Sequence, residues 1–146
     1  MFFKNKELIA ENQRLEKELA AYQTVKEELR EEMLYIELNA DGRIRAINDL
    51  CTQATGFKIS ELEGKSLESL MDPKSLKKSD VQDMLGAVKN HRHWHGAVRF
   101  NNAKGHEIWV RGIIQPIDDA YGNVKCISFY MAEQTRNISY SNELRD

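Results

Sequence analysis

Apolar residues recur with two different periods along this chain, and the change falls at Met33. Up to Glu32 there is no glycine or proline, and Glu, Lys and Arg are dense, a composition that favours helix. The seam steps by four and three through Leu8, Asn12, Leu15, Leu19, Tyr22, Lys26, Leu29 and Met33. This is a heptad pattern with Leu8, Leu15, Tyr22 and Leu29 at d and the others at a. After Met33 the period drops to two. Leu34, Ile36 and Leu38 alternate with Tyr35 and Glu37, Asn39 to Gly42 makes a turn, and Ile44 and Ile47 lie on the return strand. A second hairpin is expected from Trp94 to Ile114, and a further strand from Val124 to Ala132 after the turn at Asp118 to Asn123.

The stretch between the hairpins predicts short helices. Asn48 and Asp49 are good N-cap residues and Gly56 is a stop. Ser60 to Glu63 resembles the start of a capping box, ended at once by Gly64. Leu67 to Met71 reads as another helical turn that stops before Asp72-Pro73. Ser79-Asp80 opens the longest inner helix, with Val81, Met84, Leu85 and Val88 on one face. Beyond Ala132 the chain turns polar, with Ile138 and Leu144 as sparse apolar points, which suggests the start of an exit helix. The order helix, two strands, several short helices, three strands, helix places the chain in the α+β class. A five-stranded antiparallel sheet would carry short helices on one face and cup a pocket, after a long N-terminal amphipathic helix. The expected divisions are 1–32 for the N-terminal arm, 33–135 for the compact domain and 136–146 for the exit helix.

The seam on the arm makes Leu8, Asn12, Leu15, Leu19, Tyr22 and Leu29 the candidate dimerisation residues. Asn12 at an a position favours a parallel two-stranded pairing, because two Asn side chains can satisfy one another across the seam. Glu11 facing Glu16 of a partner, and Lys26 at a, exclude a long, strong zipper. A helix that folds back on its own domain, or stays a solvated arm, is the alternative.

Charge and composition narrow the partners. With 146 residues and a net charge of −2, the chain has no field to gather nucleic acid or an anionic bilayer. No apolar run approaches a membrane span, so a cytoplasmic location is expected. Cys51 and Cys126 are far apart in apolar stretches and read as buried free thiols. His91, His93, His95 and His106 lie close together, but no cysteine or carboxylate completes a tetrahedral metal set among them. No phosphate loop, Gly-x-Ser-x-Gly or paired carboxylates with a base occur, so no enzyme activity is expected.

Four points in sequence carry a family resemblance. They are the Asp41-Gly42 turn; Asn48 followed by Thr55-Gly56-Phe57; Glu63-Gly64-Lys65; and Lys104-Gly105 with Asp119 to Gly122 at the later turns. Together they resemble a PAS domain, the sensor module of many bacterial signalling proteins, over about Met33 to Thr135. Glu133-Gln134-Thr135 departs from the family's frequent Asp-x-Thr at the end of the last strand. Trp94-His95-Gly96 is similar to the Trp-x-Gly of chemoreceptor and aerotaxis-type PAS domains. The resemblance implies a sensory input and dimerisation module of a bacterial signal-transduction protein, here of the soluble methyl-accepting chemoreceptor kind. Its downstream signalling domain would follow in cis, and Glu133 and Thr135 would pass the signal to the exit helix. A ligand-free structural spacer is the alternative. The resemblance also implies a cofactor pocket, with Asn48, Trp94 and His91 as its candidate residues. Trp94 could stack on the ring of FAD, Asn48 could donate to it, and His91 could ligate haem. An empty pocket and a small-molecule ligand are the other possibilities. No cysteine near Asp72-Pro73 could form a light-driven flavin adduct.

Overall fold

A computed structural model describes residues 2–134, with side chains from residue 5 onward. The chain divides into two units, residues 1–32 and residues 33–146. The first unit is one helix, α1 (Phe2–Glu32), about 46 Å long at 1.5 Å per residue. Its heptad positions Leu8, Asn12, Leu15, Leu19, Tyr22 and Leu29 are exposed, and Lys26 is half-buried. On its surface Arg14 pairs with Glu11 and Glu18.

The second unit holds five antiparallel strands, β1 (Leu34–Asn39), β2 (Ile44–Ile47), β3 (Trp94–Asn101), β4 (Glu107–Asp118) and β5 (Val124–Glu133). Their order across the sheet is β2-β1-β5-β4-β3, so the last strand lies at the centre. The strands carry Ile36, Leu38, Ile44, Val98, Phe100, Val110, Ile114, Ile127, Phe129 and Met131 on one face, all buried. Strict alternation from Ile44 would send Ile47 outward. A register shift in the β1–β2 ladder pairs Leu38 with Ile44 and Ile36 with Ile47, and so returns Ile47 to the core side. Pro116 lies in β4 beyond Ile114, the last residue β3 pairs with, so its missing N–H faces no strand.

Between β2 and β3 the chain forms α2 (Asp49–Thr55), α3 (Ile59–Leu62), a 3₁₀ turn at Leu67–Leu70, α4 (Pro73–Leu76) and α5 (Ser79–Lys89). Asn48 and Gly56 cap α2 as the sequence predicts. The capping box lies two residues earlier than expected. Lys58, not Ser60, is the N-cap of α3, and Glu61 accepts the Lys58 N–H at 3.1 Å. α4 is an addition: Asp72 accepts the Ser75 N–H at 2.7 Å with Pro73 in the first turn, so the Asp-Pro pair starts a helix as well as ending one. Arg99 of β3 bonds Ser75 Oγ at 3.1 Å and Glu107 at 2.9 Å, fastening this turn to the sheet's edge.

The hollow expected between sheet and helices is filled. Leu62, Leu67, Leu70 and Met84 from the helical side meet Phe100, Phe129 and Met131 from the sheet, all at most 2 % exposed. Phe129 lies edge-on to both Phe100 and Trp94, with ring centroids 6.2 and 6.3 Å apart. No described helix is long and apolar enough to cross a membrane.

Candidate functional site

Asn48 uses its amide on the backbone. Oδ1 accepts from the N–H of Cys51 at 3.0 Å and of Tyr35 at 3.1 Å, while Nδ2 donates to the carbonyl of Met33 at 2.7 Å. One side chain thus caps α2 and fixes the start of β1. Trp94 opens β3, half-buried against Phe129, and its ring lies over Gly96, where an added Cβ would come within 2.8 Å. That contact explains the glycine of Trp94-His95-Gly96.

His91 stands apart from both. It follows Asn90, the C-cap of α5, with φ of 54°, the one non-glycine residue in the left-handed region among those described. The Arg92 N–H reaches the Ala87 carbonyl at 2.8 Å and the His91 N–H reaches Val88 at 3.4 Å, a Schellman closure. Glycine is the usual residue at this point. The imidazole compensates by a 2.6 Å contact from Nε2 to the Ala40 carbonyl in the β1–β2 turn, which makes Nε2 the protonated nitrogen. Gly42 of the same turn approaches α5 so closely that a Cβ would lie 3.0 Å from Val88.

The three candidate cofactor residues are therefore not brought together. Asn48 follows one edge strand and Trp94 starts the other, with β1, β5 and β4 between them. Neither flavin nor haem fits the interior as packed. One Nδ2 proton of Asn48 goes to the Met33 carbonyl, Phe100, Phe129 and Met84 are packed in the core at no more than 1 % exposure, and His91 bonds the hairpin turn. Cys51 is buried on α2, and desolvation pushes its thiol up to about 12, so it is no nucleophile at neutral pH. No group of three or more metal-ligating side chains is assembled among the described residues.

Two features were not foreseen from sequence. One is a cleft of about 530 Å³ between the β1–β2 turn, the 3₁₀ turn and α5, with His91 on its rim. The other is a polar set on the sheet's opposite face, with Tyr35, Ser128 and Tyr130 buried, Glu37 half-buried and Arg45 exposed. Arg45 holds Glu37 through Nε and Nη2, each at 3.0 Å, and Tyr35 donates to Glu37 at 3.0 Å. Since that uses the Tyr35 proton, Ser128 is the donor in its 3.1 Å bond to Tyr35 Oη. The Tyr130 ring lies 5.0 Å from that of Tyr35, and its hydroxyl is buried without a hydrogen-bond partner among the described residues. Alternation alone would have placed these side chains on an exposed face.

Glu133 ends β5, exposed and opposite Val110, and the Gln134 N–H donates to Trp109 at 2.7 Å. Thr135 and the expected exit helix 136–146 lie outside the described residues.

Residues 31–136 match the family described as PAS domain. Solved structures share the fold at low identity. The PAS domain of the fruit-fly ELK potassium channel gives a TM-score of 0.66 at 19 % identity, covering 80 % of this chain and 97 % of that one. An RNA-binding light-oxygen-voltage receptor gives 0.64 at 18 %, covering 77 % of this chain and 32 % of its own. The light-state dimer of the fungal blue-light photoreceptor Vivid gives 0.61 at 18 %, covering 69 % and 77 %. The chain thus spans about a third of the RNA-binding receptor's length. No curated protein matches by sequence.

Proposed function

Since the chain belongs to the PAS domain family, its residues 31–136 matching that family, we propose that it is the sensory and dimerising input module of a bacterial signal-transduction protein, of the soluble chemoreceptor kind. The observation that carries this is the exposed heptad seam. Leu8, Leu15, Leu19, Tyr22 and Leu29 are 38 to 56 % exposed along one 31-residue helix. An apolar row of that length, left in water, is better satisfied by a second copy in parallel, with Asn12 against Asn12 of the partner. The dimeric state named for Vivid is a precedent within the same fold. Signal would leave through the central strand, because β5 touches both β1 and β4 and runs directly into residue 134. The role is regulatory rather than catalytic, and a cytoplasmic location goes with it. Light scattering on the full chain tests the reading against a truncation that begins at Glu31. A dimer for the full chain and a monomer for the truncation support it, and a monomeric full chain at tens of micromolar sinks it.

The filled interior favours a second reading, a PAS domain without an internal ligand that dimerises and spaces its neighbours. Native mass spectrometry of the purified chain separates the two. A retained small mass favours the sensor, and its absence at every metabolite concentration tried favours the spacer.

A further inference from the structure

Helix α5 carries a glycine in its body, and a histidine follows its C-cap, both at unexpected places. Gly86 lies in the body of the helix, where glycine costs stability relative to alanine. Packing does not require it, because the nearest atom to an added Cβ is Arg92 Nη2 at 3.5 Å, an ordinary contact. Five residues on, His91 takes the left-handed turn where glycine would be unstrained. Both residues line the 530 Å³ cleft, and His91 bonds the carbonyl of Ala40, which lines it too. Glycine where a backbone must be approached closely, and strain held by a specific contact, are features of ligand sites.

The lining indicates what the cleft would take. Half-buried Leu76 and Leu85 form an apolar floor with Leu67. Glu68 and Lys89 stand on the rim with no ion pair among the described residues, so charge of both signs is available there. The volume falls within the range of small-molecule sites. We propose that this cleft, outside the packed interior, binds a small zwitterionic amphiphile, an apolar body bearing one anionic and one cationic group. The site rests on the sensory reading above and adds its ligand class. Occupancy would bear on the β1–β2 turn and α5 together, and β1 is hydrogen-bonded to β5.

The test is an NMR titration of the ¹⁵N-labelled full chain with L-phenylalanine, and with phenylacetate and phenethylamine as analogues lacking one charge. Saturable shifts at the Gly42, Gly86 and His91 amides are expected with phenylalanine. Each analogue should bind about threefold more weakly or worse, the size of a partly exposed charge contact. Gly86→Leu fills the cleft with a better helix former and should abolish the shifts. Should that variant fail to fold, Lys89→Gln and Glu68→Gln, both at exposed positions, should each weaken binding and narrow the gap to one analogue. The absence of saturable shifts overturns the site. Shifts at Trp94 and Phe129 that persist in Gly86→Leu also overturn it while leaving the sensory reading intact, since the ligand would then lie inside.

Discussion

Asn48 Oδ1 accepts the backbone N–H of Tyr35 at 3.1 Å across thirteen residues, while also capping α2 through Cys51 at 3.0 Å. Replacing Asn48 by Ala leaves two donors and the Met33 carbonyl without this partner. A loss of about 2–3 kcal/mol is expected from a cap plus one unsatisfied group. Asn48→Asp keeps the acceptor and should cost less. Urea unfolding of the three proteins measures this, and a loss under about 0.5 kcal/mol for the alanine variant would show that water replaces the side chain freely.

Gly112 is required for space alone. A Cβ there would lie 2.4 Å from the Tyr130 carbonyl, 2.6 Å from the Phe129 ring and 2.8 Å from Met131. The central ladder cannot yield without breaking pairs, so Gly112→Ala should destabilise by about 3 kcal/mol, the upper range for overpacking. Gly105→Ala meets nothing within 4 Å and carries only the strain of its φ of +83°. Its cost should be the smaller by thermal melting. Equal costs would refute the steric account.

The hydroxyl of Tyr130 is buried with no hydrogen-bond partner among the described residues. Tyr130→Phe keeps the ring contact with Tyr35 and removes the unsatisfied group, so stability should rise by about 1 kcal/mol. A fall in the urea midpoint would mean that the hydroxyl is hydrogen-bonded in solution.

Burial favours the neutral thiol of Cys51, raising it from an ordinary 9.0 to about 12. A group whose folded value is raised contributes stability fully below the unfolded value and loses it as pH climbs through the folded one. The stability difference between wild type and Cys51→Ala should therefore shrink from pH 9 upward. Iodoacetamide at pH 8.5 should label Cys51 only after unfolding, as peptide mass spectrometry can check. Labelling of the native protein at the rate of a free thiol would contradict its burial.

Local signals were legible without tertiary information because they act over a few residues. The heptad seam of α1, the Asn48 cap, the Gly56 stop and both hairpins depend on periodicity and turn chemistry, which neighbours in sequence settle among themselves. The match of residues 31–136 to the PAS domain family was likewise foreshadowed by four short turn motifs. Other features needed the folded chain. The β1–β2 register shift that returns Ile47 to the core side, the filling of the expected hollow by Phe100 and Phe129, and the separation of Asn48 from Trp94 depend on which strands become neighbours. So does the bond from His91 to Ala40 across 51 residues, which turns a helix-end histidine into the rim of a cleft. Periodicity reports which face of an element is apolar. Only packing decides how much space remains between faces, because volume is set by side chains that meet from distant parts of the sequence.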